Sequence, residues 1–174
     1  RYACRPMDVL GWEGTPRLPR NTRHTCCKAN GGGRHARHAL LECINGDAGR
    51  PLEGGLTPNA SVKTLLDAGT LLSLHGQRGY GQVVGEQAMH MAMARAQEHG
   101  SCIMALAEAH HLGRIGHFAE MAVARGWIAL HFVSVSSRPN VAPFGGSDGR
   151  FGTNPCCIGI PVGVGDARRE PIII

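Results

Sequence analysis

Residues 103–135, IMALAEAHHLGRIGHFAEMAVARGWIALHFVSV, contain the order of elements that decides the fold. The apolar run Ile103–Ala107 is typical of a buried strand, and a glycine-containing turn separates it from a helix predicted over Ile115–Arg125. Gly126 would end that helix, and Trp127–Val135 follows as a second strand. A strand, a helix and a strand in this order favour an α/β protein in which helices pack on a sheet.

The chain before this stretch shows the same alternation. Residues 82–98 carry apolar side chains at helical spacing and are followed by Gly100, a typical helix stop. Residues 62–74 predict one or two strands, and residues 79–81, Gly-Tyr-Gly, predict a turn. A strand region and a helix are therefore expected before the strand that begins at Ile103.

A long polar loop, residues 136–155, follows the second strand. Loops of this length beside strands often carry function. Cys156–Val162 predicts a further short strand, and the final residues 172–174, all isoleucine, are typical of a strand. We expect that last strand to be cut off midway, in a chain that is incomplete.

The composition bounds the class of protein. A chain of 174 residues can bury one core of ordinary size, and 43% hydrophobic with 5% aromatic residues suits a soluble α/β protein. No apolar run approaches the roughly 20 residues that span a bilayer. Residues 1–30 contain no apolar stretch of the roughly 7–15 residues found in secretory signals. We therefore expect a cytoplasmic protein without a membrane segment.

Residues 1–40 differ from the rest of the chain. They contain five Gly, three Pro and eight Arg or Lys, without a sustained apolar period of either a strand or a helix. We interpret them as an irregular basic arm. Two origins stay open: a disordered native segment, or a stretch that is not native protein, such as an out-of-frame translation.

Neither the charge nor the cysteines indicate a nucleic-acid or metal site. The net charge is +5, but nine of the eighteen Lys and Arg lie in residues 1–50 with few aromatic residues among them. The seven Cys show no zinc-type Cys-x2-Cys spacing, and their odd number argues against a disulfide framework. We expect no metal and no nucleic acid. A metal- or nucleic-acid-binding module on the basic arm is the alternative.

The turn before the second helix carries residues suited to chemistry. His111 follows a strand, and histidine titrates near neutral pH, so it could donate a proton to a substrate oxygen. Arg114, between Gly113 and Gly116, could bind a phosphate or carboxylate at the helix start. The alternative is a structural histidine and an exposed arginine in an ordinary turn. The glycine spacing lacks the Gly-x-Gly-x-x-Gly pattern of a Rossmann dinucleotide site.

The segment Phe151-Gly152-Thr153-Asn154-Pro155 places a hydroxyl and an amide just before a strand. The side chains of Thr153 and Asn154 could orient a substrate carboxylate. The alternative is an Asn-Pro turn without a functional role.

Four stretches together resemble the malate/L-lactate dehydrogenase family of NAD(P)-dependent 2-oxo-acid reductases, and its hydroxycarboxylate dehydrogenase branch most closely. They are GYGQVVG at 79–85, HHLGRIGHFAE at 110–120, VAPFGG at 141–146 and RFGTNP at 150–155. Their order and spacing fit the family over about residues 55–174. The resemblance implies a mixed sheet flanked by helices, unlike a Rossmann domain, and a homodimer.

The resemblance also implies roles for particular residues. His111 matches a family histidine that is a catalytic acid/base in some members. Gly113, Arg114 and Ile115 match a stretch near the cofactor, which is NAD or NADP. Ser137 falls close to a serine that contacts the cofactor in some members.

Thr153 and Asn154 lie in a motif near the family's active site, whose substrates are small 2-oxo or 2-hydroxy acids such as malate or lactate. The resemblance thus implies hydride transfer between NAD(P) and such an acid. The family's N-terminal Ser-His-Gly motif does not occur here, and the chain stops at Ile174, where a further cofactor motif is expected. The alternative is a non-catalytic fragment or gene remnant, with residues 41–174 as a partial dehydrogenase domain.

Overall fold

The structure is a computed structural model. It describes four stretches of the chain: residues 55–57, 59–135, 139–163 and 170–174. The chain divides into two compact units between Arg114 and Ile115, and each unit is described by itself. The basic arm predicted over residues 1–40 and the predicted cofactor residue Ser137 lie outside the described residues.

The described residues of the first unit form a three-stranded sheet and one helix. Its strands are β1 (Lys63–Ala68), β2 (Leu71–Gly79) and β3 (Ile103–Ala109), and helix α1 (Gly81–His99) connects β2 to β3. The strand order is β1-β2-β3, with β1 and β2 antiparallel and β2 and β3 parallel. Parallel neighbours require a crossover connection, and α1 supplies it. The predicted strand region, helix and mixed α/β architecture are confirmed here, but β2 continues beyond the predicted end at Leu74 to Gly79, the first residue of the predicted turn.

The core of this unit lies between the sheet and α1. Leu72 and Leu74 of β2 pack with Ala88 of α1, and Leu74 and Ala88 are fully buried. The helix ends as predicted at Gly100, which has the left-handed φ of 81°. Helix α1 is 19 residues long, but neither it nor any other helix of the described residues is apolar enough to cross a membrane.

Strand β3 differs from its prediction as a buried strand. Its side chains are alternately exposed and half-buried over most of its length, and Ile103 is 71% exposed. The physical reason is position, because β3 lies at the edge of the sheet formed by the described residues and α1 packs on one face of that sheet. Leu71 pairs with Ile103 in register and is exposed like it, on the face of the sheet that α1 does not cover. A short apolar run therefore indicated the strand but not its burial.

In the second unit, the residues that the structure describes form one short helix and an antiparallel sheet. Helix α2 (Gly116–Val123) is followed by β4 (Ala129–Phe132), β5 (Cys156–Ile160) and β6 (Ile172–Ile173). The strand order is β4-β5-β6, so the predicted C-terminal isoleucine strand is confirmed. Strand β4 is shorter than predicted.

Helix α2 packs closely on β5 through a glycine. A methyl group built at Gly159 would lie 3.0 Å from Cγ1 of Val123 and 3.1 Å from Cβ of Ala119. The helix therefore lies directly on the strand backbone. It ends at Val123, two residues before the predicted end, and Gly126 closes the following turn with φ of 79°.

Strand β4 also carries a half-buried histidine. His131 pairs in register with Cys157 of β5, and its Nε2 atom is buried without a hydrogen-bond partner in the described part of the chain. Burial disfavours the charged imidazolium and lowers the pKa of His131. Burial thus favours the neutral ring over the charged ring in the folded state.

Acidification is expected to destabilise the second unit through His131, because the unfolded chain binds the proton more readily than the folded chain. The loss begins as the pH falls through the unfolded pKa of about 6.5 and is complete below the lowered folded pKa. His131→Leu should therefore flatten the dependence of Tm on pH between about pH 7.5 and pH 5. The exposed His90 supplies the control His90→Leu, which should keep the wild-type dependence. Equal slopes for the wild type and His131→Leu in thermal denaturation would contradict this assignment.

Candidate functional site

The two histidines of the predicted turn lie just after β3. That strand ends at Ala109 and α2 begins at Gly116, so His111 stands between a strand and a helix as the sequence predicted. His111 is exposed and His110 is half-buried. The pair is therefore divided into one ring that solvent can reach and one that the protein partly encloses.

His110 is anchored by its ring and by its backbone. Its N–H donates to the carbonyl of Gly79 at 3.1 Å, continuing the contact between β2 and β3. Its Nε2 lies 2.6 Å from the carbonyl oxygen of Gly55. Because a carbonyl oxygen only accepts, the ring must carry a proton on Nε2.

Gly81, the first residue of α1, lies against the carbonyl groups of both histidines. A methyl group built there would overlap the carbonyl oxygens of His110 and His111, and it would lie 2.6 Å from the carbonyl carbon of His111. The backbone of Gly81 is helical, so glycine is required here by space and not by conformation. The stretch 79–85 is one of the four family motifs, but the sequence predicts none of its residues as part of the site.

The sheet ends irregularly beside this segment. The parallel register shifts between His75 and Gly79, and Gln77 and Arg78 have left-handed φ values of 51° and 56°. Glu108 of β3 also has a φ of 51°, and its carboxylate lies 3.5 Å from Nε of Arg78. Such backbone conformations are uncommon outside glycine and concentrate at functional sites. Glu108 lies two residues before His110 in β3, and Gln77 and Arg78 lie in the adjacent strand β2.

The residues predicted to contact the cofactor fall on both sides of the division between the units. Gly113 has a left-handed φ of 72°, and Arg114 is exposed. Both belong to the same unit as His111, whereas Ile115 begins the second unit. Ile115 caps α2 and accepts a backbone hydrogen bond from Phe118 at 3.0 Å.

Thr153 and Asn154 belong to the second unit and lie just before β5. Thr153 is exposed. Asn154 has a left-handed φ of 37°, and its Oδ1 accepts a hydrogen bond of 2.8 Å from the N–H of Val135. A methyl group built at Gly152 would lie 2.9 Å from Cβ of Val135. This geometry favours the turn interpretation for Asn154, and the substrate role of both residues stays a prediction.

The loop before these residues contains a small hairpin. Val141 and Phe151 form an isolated antiparallel bridge, with N–H to carbonyl distances of 2.9 and 3.1 Å. The turn at its tip is closed by the N–H of Gly146 and the carbonyl of Pro143 at 2.9 Å. The motifs at 141–146 and 150–155 are therefore joined in one local structure.

A sequence profile of the malate/L-lactate dehydrogenase family matches residues 47–174 of the chain. The chain belongs to this family. The range includes the four motifs on which the resemblance was based, so that interpretation of the sequence is confirmed. The architecture of sheets and helices is likewise that of malate/lactate dehydrogenases of known structure.

Individual members of the family show the extent of the match. Hydroxycarboxylate dehydrogenase B of Escherichia coli (strain K12) is 46% identical over 109 residues, which are 63% of this chain and 30% of the relative. L-lactate dehydrogenase of Cupriavidus necator is 44% identical over 120 residues, which are 68% of this chain and 34% of the relative. A solved malate/lactate dehydrogenase structure from E. coli is 36% identical with a TM-score of 0.71, covering 86% of this chain and 39% of that chain. This chain thus spans about a third of the length of these relatives.

Proposed function

We propose that this chain carries part of the active site of an NAD(P)-dependent oxidoreductase. The reaction is hydride transfer between the nicotinamide cofactor and a small 2-oxo or 2-hydroxy acid such as malate or lactate. The observation that carries the proposal is the exposed His111 at the end of a parallel strand, inside a motif of the malate/L-lactate dehydrogenase family. The relatives named as dehydrogenases of lactate and hydroxycarboxylates support this substrate class.

His111 would move the proton of this reaction. Reduction of a carbonyl leaves negative charge on its oxygen, and an imidazolium within hydrogen-bond reach can donate a proton there. In the oxidative direction the neutral ring accepts the hydroxyl proton of the 2-hydroxy acid. Histidine ordinarily titrates near neutral pH, so one residue type serves both directions.

The cofactor would lie along Gly113, Arg114 and Ile115, with Ser137 as a further contact. Arg114 offers an exposed cation, and the left-handed Gly113 beside it turns the chain where other residues would be strained. A cation at a glycine turn suits the phosphate groups of NAD or NADP. When bound, the nicotinamide ring supplies or accepts the hydride. Ser137 lies outside the described residues, so its role rests on the family motif alone.

The substrate carboxylate would be bound by Thr153 and Asn154. A carboxylate requires hydrogen-bond donors, and the hydroxyl of Thr153 is exposed. Since Oδ1 of Asn154 accepts from Val135, the Nδ2 donor is the end of that amide suited to the carboxylate. The same bond that forms the turn thus fixes which end of the amide would serve the substrate.

The proposed enzyme also has an expected fold class, domain organisation, oligomeric state and location. The antiparallel hairpin of β1 and β2 beside the parallel β3, with no Gly-x-Gly-x-x-Gly turn in the sequence, supports a fold unlike a Rossmann domain. We place the dehydrogenase domain at residues 41–174 and the irregular basic arm at residues 1–40. The assembly is a homodimer in the cytoplasm.

The test uses the purified chain with NADH and NADPH in turn and a series of small 2-oxo acids. We expect loss of the reduced-nicotinamide absorbance that depends on the acid, and a rise in Tm with the preferred cofactor. Absence of both turnover and a thermal shift with either cofactor would contradict the proposal. That outcome would favour the alternative of a non-catalytic fragment of a dehydrogenase.

A further inference from the structure

His110 has a different environment from the exposed His111 beside it. Its ring Nε2 lies 2.6 Å from the carbonyl oxygen of Gly55, a residue 55 positions earlier in the chain. Its backbone N–H is bonded to the carbonyl of Gly79 at the end of β2. The residue immediately before His111 is therefore tied to two separate segments of the first unit.

The backbone carbonyl groups of His110 and His111 are also in close contact with a neighbouring segment. Gly81 at the start of α1 lies so close to the carbonyl groups of His110 and His111 that a methyl group would not fit between them. The peptide that joins the two histidines thus contacts α1 on one side. Gly55 and Gly79 bind His110 from the loop before β1 and from the end of β2.

We propose that His110 is a positioning residue for His111. By donating its Nε2–H to Gly55, it fixes the backbone from which the His111 ring projects. This inference rests on the proposed function of His111 as the proton donor and acceptor. A donor must come within roughly 2.6–3.2 Å of the substrate oxygen. A misplacement of about 1 Å can lower the rate by about 100-fold.

The anchor does not depend on the charge of the His110 ring. A neutral imidazole with its proton on Nε2 and an imidazolium both present an Nε2–H donor. The bond to Gly55 is therefore available to either form of the ring. The placement of His111 would then not depend on which of the two forms His110 adopts.

The decisive comparison is between His110→Ala and His110→Gln. Alanine removes the donor, whereas the Nε2 amide of glutamine offers a donor at similar reach. We expect His110→Ala to lower kcat for 2-oxo-acid reduction by about 10- to 100-fold, with the KM for the cofactor little changed. His110→Gln should recover most of that loss. His90→Ala, at an exposed position of α1, is the control and should match the wild type.

An NMR measurement separates this inference from the proposed function. In the wild type, the imidazole nitrogens of His110 should show the proton on Nε2. The backbone amide of His111 should exchange faster with solvent in His110→Ala than in His110→Gln. A wild type without turnover would contradict the proposed function alone, and the NMR result would still decide the anchor.

Two results would overturn the inference. One is His110→Ala with wild-type kcat and wild-type exchange at the His111 amide. The other is an equal loss in His110→Gln and His110→Ala, because the donor would then be irrelevant. If His110→Ala does not fold, the proton position in the wild type and the activity of His110→Gln decide between the outcomes.

Discussion

Replacement of His111 by alanine is expected to lower kcat for 2-oxo-acid reduction by about 10²–10⁴-fold, the usual contribution of a general acid–base group. Because the ring is exposed, it contributes little to the core of the first unit. Stability should therefore change by no more than about 1.5 kcal/mol, the net contribution of a single polar contact. Steady-state kinetics measure the first effect and thermal denaturation the second.

The variant His111→Gln sharpens this test. Glutamine keeps a polar side chain of similar length but does not titrate, so it cannot exchange a proton with the substrate. It should be as slow as His111→Ala, and cofactor binding should persist in both. Since His110 is adjacent, a rate retained in His111→Ala and lost in His110→Ala would transfer the proton-exchange role to His110.

The elements of the first unit were predictable because their signals are local. The apolar spacing of residues 82–98 and the glycine at 100 predict a helix and its end, and α1 follows both closely. The exposure of Ile103 could not be predicted in this way. It depends on which strand lies at the edge of the sheet and on which face receives α1, and both are properties of the packed structure.

In the candidate site, too, features set by neighbouring residues could be predicted, whereas contacts between distant segments could not. The position of His111 after a strand follows from its neighbours in sequence. The bond from His110 to Gly55 does not, because it joins segments far apart in the chain. The only signals were the doubling of the histidine and the glycines at 79 and 81. The sequence gives no physical reason for these until β2, α1 and β3 are packed together.

Asn154 illustrates how the structure can favour the simpler of two interpretations. The Asn-Pro sequence allowed either a substrate ligand or a turn, and periodicity had no bearing on the choice. The hydrogen bond from Val135 to Oδ1 and the left-handed φ are both features of a turn. A substrate role for Asn154 now depends on its Nδ2 group alone, whereas the sequence allowed either end of the amide to contact the substrate.

Gly81→Ala is expected to destabilise the first unit by about 1–3 kcal/mol, the usual effect of adding a methyl group to filled space. In an open helical position the same change would stabilise by roughly 0.5–1 kcal/mol, so the sign is informative. The atoms in the way are the backbone carbonyl groups of His110 and His111, which cannot rotate aside as a side chain would. Tm should fall by several degrees, at about 2–4 °C per kcal/mol for a chain of this length.

The activity of Gly81→Ala should fall as well, because relief of the overlap must displace the backbone that carries His111. Gly100→Ala, at the other end of α1, is the matched control. Its left-handed φ of 81° makes alanine unfavourable by roughly 1 kcal/mol, yet a methyl group there meets no atom within 4 Å. Both variants should therefore lose stability, whereas only Gly81→Ala should lose kcat at temperatures where the protein stays folded. Equal kcat values in the two variants would show that the close contact at Gly81 affects the stability of the unit but not the position of His111.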